Sequence, residues 1–116
     1  MSPQDARTFK FIESQMFLFA RGNWLPLKRV LPLYRKSRFE STYGVCDPTK
    51  GIFIRIRWDN GRPLHAYAIV DTMAHELAHL RFLAHSPNWF RLHSRILLCM
   101  SQSNLFQRLK RRMNTK

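Results

Sequence analysis

The sequence predicts an α+β domain: an N-terminal helix, a small antiparallel β-hairpin or sheet, a helix bearing His-Glu-x-x-His, and a C-terminal helix. Three observations lead there. Ser2-Pro3 opens a run in which Phe9, Ile12, Met16 and Phe19 recur at helical spacing. FESTYGVC and GIFIRIRW are β-branched and aromatic runs separated by the turn-forming DPTK. From Leu64 onward the apolar spacing becomes helical again. A chain of 116 residues fits one domain with a core that needs no disulfide staples. The expected division is a single folded unit over residues 1–100 and a basic C-terminal tail over 101–116.

The first helix is predicted from Pro3 to about Ala20, with Gly22 and Pro26 closing it. Between Pro26 and Arg38 come Lys28, Arg29, Arg35, Lys36 and Arg38 with no acid, which reads as a solvated face or a polyanion contact. In the second strand Ile52, Ile54, Ile56 and Trp58 alternate with Phe53, Arg55 and Arg57, so one face is expected inside and the arginines outside. A loop at DNGRP leads to a helix predicted over Leu64 to about Leu83. Ser86-Pro87 then starts a helix through Trp89, Leu92, Ile96 and Leu97 to about Met100.

Twenty Lys and Arg against seven Asp and Glu give a formal charge of +13, a field that gathers polyanions. Two readings stay open: association with DNA or RNA through the basic surface, and simple solubility. Cys46 and Cys99 have no metal-knuckle or disulfide-framework spacing and are expected reduced. The first 22 residues lack the unbroken apolar core of a signal peptide, and no run reaches membrane-spanning length. The expectation is an intracellular, cytoplasmic protein with no membrane partner.

MAHELAHLRFLAHSPNWF carries the chemistry. Residues i and i+4 stack one turn apart on a helix, so His75 and His79 can present two imidazole nitrogens to one ion. Glu76, about 100° round the helix, stands beside them, where it can take a proton from a water. Two imidazoles leave a tetrahedral Zn2+ in need of a third protein ligand. No Asp or Glu follows Glu76, which leaves His85, His93 or His65. His85, at the turn before Ser86, is the preferred ligand; His93 falls in the next helix, and His65 is too far along the axis. Asp71 either orients the His75 ring from four residues away or forms an ordinary exposed pair. Cys46 is expected as a buried small hydrophobe rather than a ligand of a latent state.

HELAHLRFLAHSPNWF, His75 to Phe90, closely resembles the YgjP-like zinc metallopeptidases, relatives of the SprT-like proteases, in which the motif is followed by five residues, a third histidine, a serine and an aromatic pair. TYGVC is similar to the Trp-Gly-Ser-Cys segment of those proteins, with Tyr43 and Val45 in place of tryptophan and serine. The likeness spans roughly Phe39 to Phe90, and the aromatic pair Trp89-Phe90 stands in reversed order. It implies a minimal zincin with His75, His79 and His85 as zinc ligands and Glu76 as general base. Its implied substrate is a protein or peptide, and its SprT-like side suggests proteins held on nucleic acid.

Two other functions compete. The same histidine spacing is shared with YbeY-like metal-dependent endoribonucleases, but those carry glycine where this chain has Glu76. A non-catalytic basic nucleic-acid-binding protein with a structural metal would normally fill all four positions with Cys and His, and neither cysteine has that spacing. The peptidase is the preferred reading.

Overall fold

The computed structural model describes residues 1–33, 43–58 and 60–113. Arg35, Lys36 and Arg38 of the basic run, the start of the strand expected from Phe39, and residues 114–116 lie outside them.

Helix α1 spans Pro3–Gly22. Its start is the predicted one: Ser2 Oγ accepts from Asp5 N–H at 3.0 Å, and Pro3 takes the first helical position, where no N–H is needed. The apolar stripe packs inward, with Ile12 and Met16 fully buried. Among the described residues three strands follow: β1 Val30–Pro32, β2 Gly44–Asp47 and β3 Gly51–Ile54. The expected hairpin is β2–β3, antiparallel, with Val45 opposite Phe53. Asp47 builds its turn, Oδ1 accepting from the Thr49 and Lys50 N–H groups and the Thr49 hydroxyl. At Gly51, φ is +121° and a Cβ would run into the Arg29 carbonyl, so a side chain is excluded twice over.

Strand β1 was not foreseen. It lies parallel to β3, in the order β1-β3-β2, which makes the sheet mixed rather than purely antiparallel. Only three residues long and ending in Pro32, it sits at an edge among the described strands, where the missing proline N–H costs no ladder bond. Arg55 also departs from expectation. It is fully buried, with its guanidinium 5.9 Å from the centre of the Trp58 ring, whereas Arg57 is exposed and pairs with Asp5 at 2.7 Å.

The central element is α2, Ala66–His79, which touches every other helix as well as β2 and β3. Ile69, Met73 and Leu77 are wholly buried on it and meet Ile52 and Ile54 of β3 in one core. Each such side chain contributes about 1.5–3 kcal/mol through removal from water. The helix ends at His79 rather than near Leu83, because the Leu80 and Arg81 N–H groups turn back to Leu77 and Ala78 in a tighter final turn. Helix α3, Pro87–Gln102, begins at the expected Ser86 cap, whose Oγ accepts from Trp89 N–H at 3.2 Å.

Residues 105–113, expected within a basic tail, form a fourth helix, α4, Leu105–Met113. Leu105 and Leu109 are fully buried against the core, and Arg108 and Arg112 lay their guanidinium groups 5.0 and 4.3 Å from the centre of the Phe11 ring. Two leucines four apart suffice to dock a short helix whose other face is basic. No helix among the described residues is long and apolar enough to cross a membrane.

Candidate metal centre

The C-terminal half of α2 and the turn before α3 bring three imidazoles to one point. His79 Nε2 lies 3.2 Å from His75 Nε2 and 3.0 Å from His85 Nε2, and the remaining pair is 3.3 Å apart. His75 and His79 converge because they are one helical turn apart. His85 joins them because α2 stops at His79, which lets the chain double back before Ser86 restarts a helix. His75 and His79 are half-buried and His85 is exposed, so the cluster opens to solvent on one side.

The donor set fits a zinc ion. Ligand nitrogens about 2.0–2.1 Å from one tetrahedral zinc stand about 3.3 Å from each other, close to the separations here. The tautomer of His79 is fixed by its other nitrogen: Nδ1 is 3.0 Å from the Phe82 carbonyl, which only accepts, so Nδ1 carries the proton and Nε2 is free to ligate. Burial, with the neighbouring imidazoles, pushes the pKa of His75 down to about 4, so its ring is neutral at ordinary pH.

Glu76 faces the same space. Its side chain is 8% exposed and its Oε2 is 3.9 Å from His75 Nε2. Burial pushes its pKa up to about 7. Above it passes β2, an edge strand among the described residues, and Gly44 makes the contact: a Cβ there would stand 3.3 Å from Glu76 Cγ and 2.6 Å from Thr72 Cγ2.

His93 is not part of the cluster. Its Nε2 lies 3.3 Å from Asp71 Oδ1, so the aspartate faces His93 across the α2–α3 interface. His65 is the residue preceding α2. Cys46 is half-buried and stays outside the histidine group; burial, reinforced by the charges of Glu76 and Asp47, pushes its thiol up to about 11. Tyr67 packs edge-on against Phe106, and Tyr43 lies tilted against Trp58.

Trp89, expected on the helix after Ser86 and matched as one of the aromatic pair, had not been given a place in the site. It is 3% exposed, and its ring centre lies 4.7, 5.2 and 4.5 Å from those of His75, His79 and His85. His93 stacks on it at 4.8 Å and 20°, and Phe90 meets it edge-on at 5.0 Å. The indole thus forms the floor of the cluster and restricts all three rings at once. The available signal was position: a residue in the first turn after Ser86 cannot be far from His85.

No protein-family model matches the chain, and no curated protein does. Among solved structures, Wss1 from Saccharomyces cerevisiae is similar in two forms. A mutant superposes with a TM-score of 0.71 over 87% of this chain and 83% of that one at 19% identity. A second Wss1 structure gives 0.69 over 84% and 79% at 20% identity. At that identity the likeness speaks for the fold alone: this chain is an α+β domain of the architecture seen in Wss1.

Proposed function

We propose that this chain is a zinc-dependent metallopeptidase of the SprT-like kind, with His75, His79 and His85 as metal ligands and Glu76 as general base, acting on protein or peptide held near nucleic acid. The observation that carries the reading is the convergence of three Nε2 atoms to 3.0–3.3 Å beside a buried glutamate. When bound, zinc supplies a Lewis acid for a carbonyl and lowers the pKa of water at its open position to about 7.

The residues do the rest. The proton on His79 Nδ1 leaves its Nε2 lone pair available, and the depressed pKa of His75 keeps that ring neutral at neutral pH. Glu76, with a proton affinity near neutrality, accepts a proton from the attacking water and returns it to the departing amine. An extended peptide adding to β2, an edge strand among the described residues, would run past Gly44, where the missing side chain keeps the strand close to Glu76. The +13 charge supports the nucleic-acid association, since each phosphate contact releases counterions and adds salt-sensitive affinity.

The test is elemental analysis of the purified chain beside Glu76→Gln, each assayed on an unfolded protein and on RNA. One zinc per chain in both, with proteolysis abolished in the variant alone, is the expected result. Absence of bound metal would overturn the reading. RNA cleavage undiminished by the substitution would replace the peptidase with a nuclease.

A further inference from the structure

The turn that ends α1 carries an aromatic residue where glycine is the ordinary occupant. Trp24 has φ of +57°, the left-handed region in which a Cβ crowds the neighbouring carbonyl and bulky side chains are rare. The turn is fully tied. Leu25 N–H donates to Ala20 O at 2.8 Å and Trp24 N–H to Arg21 O at 3.2 Å, the paired bonds of a Schellman motif. Buried Asn23 donates its side-chain amide to Phe19 O at 2.8 Å. From the other side, Arg81 Nη2 donates to the carbonyls of Asn23 and Trp24 at 2.9 and 3.2 Å. Glycine at 24 would keep every one of these bonds without strain, so the bonds do not account for the indole.

Packing does not account for it either. Trp24 is 88% exposed, more than any other large hydrophobic residue among those described. A ring held in water on a strained, over-determined turn is arranged for something outside the chain. Its surroundings decide what. No acid occurs between Glu13 and Glu40, Arg21, Lys28 and Arg29 flank the tryptophan in sequence, and Arg81 lies against its carbonyl. An aromatic face among cations matches a nucleobase attached to phosphates, and only an unpaired base has a face to offer, because those of a duplex are stacked on each other.

We propose that Trp24 is a stacking platform for an unpaired base of a single-stranded nucleic acid, whose phosphates run along Arg21, Lys28 and Arg29. Arg81 belongs to the connection between α2 and α3 that also carries the Phe82 carbonyl and His85. A strand on Trp24 is thereby one connection away from the histidine cluster, and a protein attached to that strand is presented to it. The presentation step rests on the peptidase reading; the stacking does not.

The test is fluorescence anisotropy of labelled oligodeoxythymidylate and of a duplex of equal length, at low and moderate salt, with the whole chain and with Trp24→Gly and Trp24→Phe. Glycine suits the backbone here, so loss of binding is not loss of fold. The expected result is oligodeoxythymidylate binding weakened about tenfold or more by Trp24→Gly and largely kept by Trp24→Phe, with duplex affinity changed less than about twofold. Unchanged single-strand binding by Trp24→Gly overturns the proposal. Equal losses on both forms also overturn it, as does loss of protein cleavage alone, which would mark a peptide subsite. If the wild-type chain binds neither nucleic acid, the nucleic-acid association fails with it. Zinc content and peptide hydrolysis, measured on the same preparations, report separately on the peptidase.

Discussion

Gly44 and Glu76 touch across the β2–α2 interface with no room for a methyl group between them: a Cβ on Gly44 would sit 3.3 Å from Glu76 Cγ and 2.6 Å from Thr72 Cγ2. Thr72 is anchored by its hydroxyl, which donates to Ala68 O at 2.7 Å, so it does not readily give way. Gly44→Ala must therefore lift the strand off Thr72 and, with it, off Glu76. Overpacking of this kind costs about 1–3 kcal/mol. The expected outcome is a lower melting temperature and a fall in peptide hydrolysis at unchanged zinc content. Full activity would mean that strand and glutamate are not coupled.

The ligand assignment separates two histidines that the sequence offered together. His85→Ala removes one of three converging nitrogens, while His93→Ala removes a ring that faces Asp71. Added zinc stabilises a chain that binds it only when folded, by about 4 kcal/mol at a thousandfold excess over Kd. Wild type and His93→Ala should both show this rise in thermal scans and lose it with a chelator. His85→Ala should show much less. Retention of tight zinc by His85→Ala would point to another third ligand.

Acid and base in this site respond to pH in opposite senses. Glu76 is held near 7 against an ordinary 4.5, so between those values the folded chain binds more protons than the unfolded one. Its contribution to metal-free stability therefore falls as pH rises through that window, by about 3 kcal/mol in all. His75, pushed from 6.5 to about 4, binds fewer protons when folded, so its contribution is intact above 6.5 and is lost as pH falls toward 4. Urea unfolding of chelator-treated Glu76→Gln and wild type across this range isolates the first effect. The variant should gain on wild type as pH rises, and parallel curves would remove burial of Glu76 as the cause.

What was legible in the sequence was whatever local rules specify. Ser2-Pro3 and Ser86-Pro87 announce helix starts through their own hydrogen bonds, and His75, Glu76 and His79 are placed by helical period alone. His85 was reachable because the acids end at Glu76. The features missed depend on partners distant in sequence. Strand β1 exists only because β3 accepts it, with Ile52 N–H donating to Arg29 O, and nothing in VLP signals a strand. Arg55 looked like an outward residue on an alternating strand, yet it is fully buried with its guanidinium near the Trp58 ring. Trp89 as the floor of the histidine cluster required knowing how α3 crosses α2.

Helix α4 is a case where composition misled and a single substitution can decide. Lys110, Arg111 and Arg112 make the segment read as a solvated tail, yet Leu109 is fully buried, and α4 packs on α1, α2 and α3. Truncating a buried leucine costs about 2–5 kcal/mol, through lost transfer energy and the cavity left behind. A leucine in a frayed tail would cost nothing measurable. Leu109→Ala should accordingly lower the urea midpoint of the whole chain, and it should do so in a single transition shared by far-ultraviolet circular dichroism and tryptophan fluorescence, because α4 shares its core with Met73 and Ile96. Removing the positive charge at Lys110, which is exposed and 5.9 Å from the centre of the Phe106 ring, should leave that midpoint nearly unchanged. An unaltered midpoint for Leu109→Ala would return residues 105–113 to the tail.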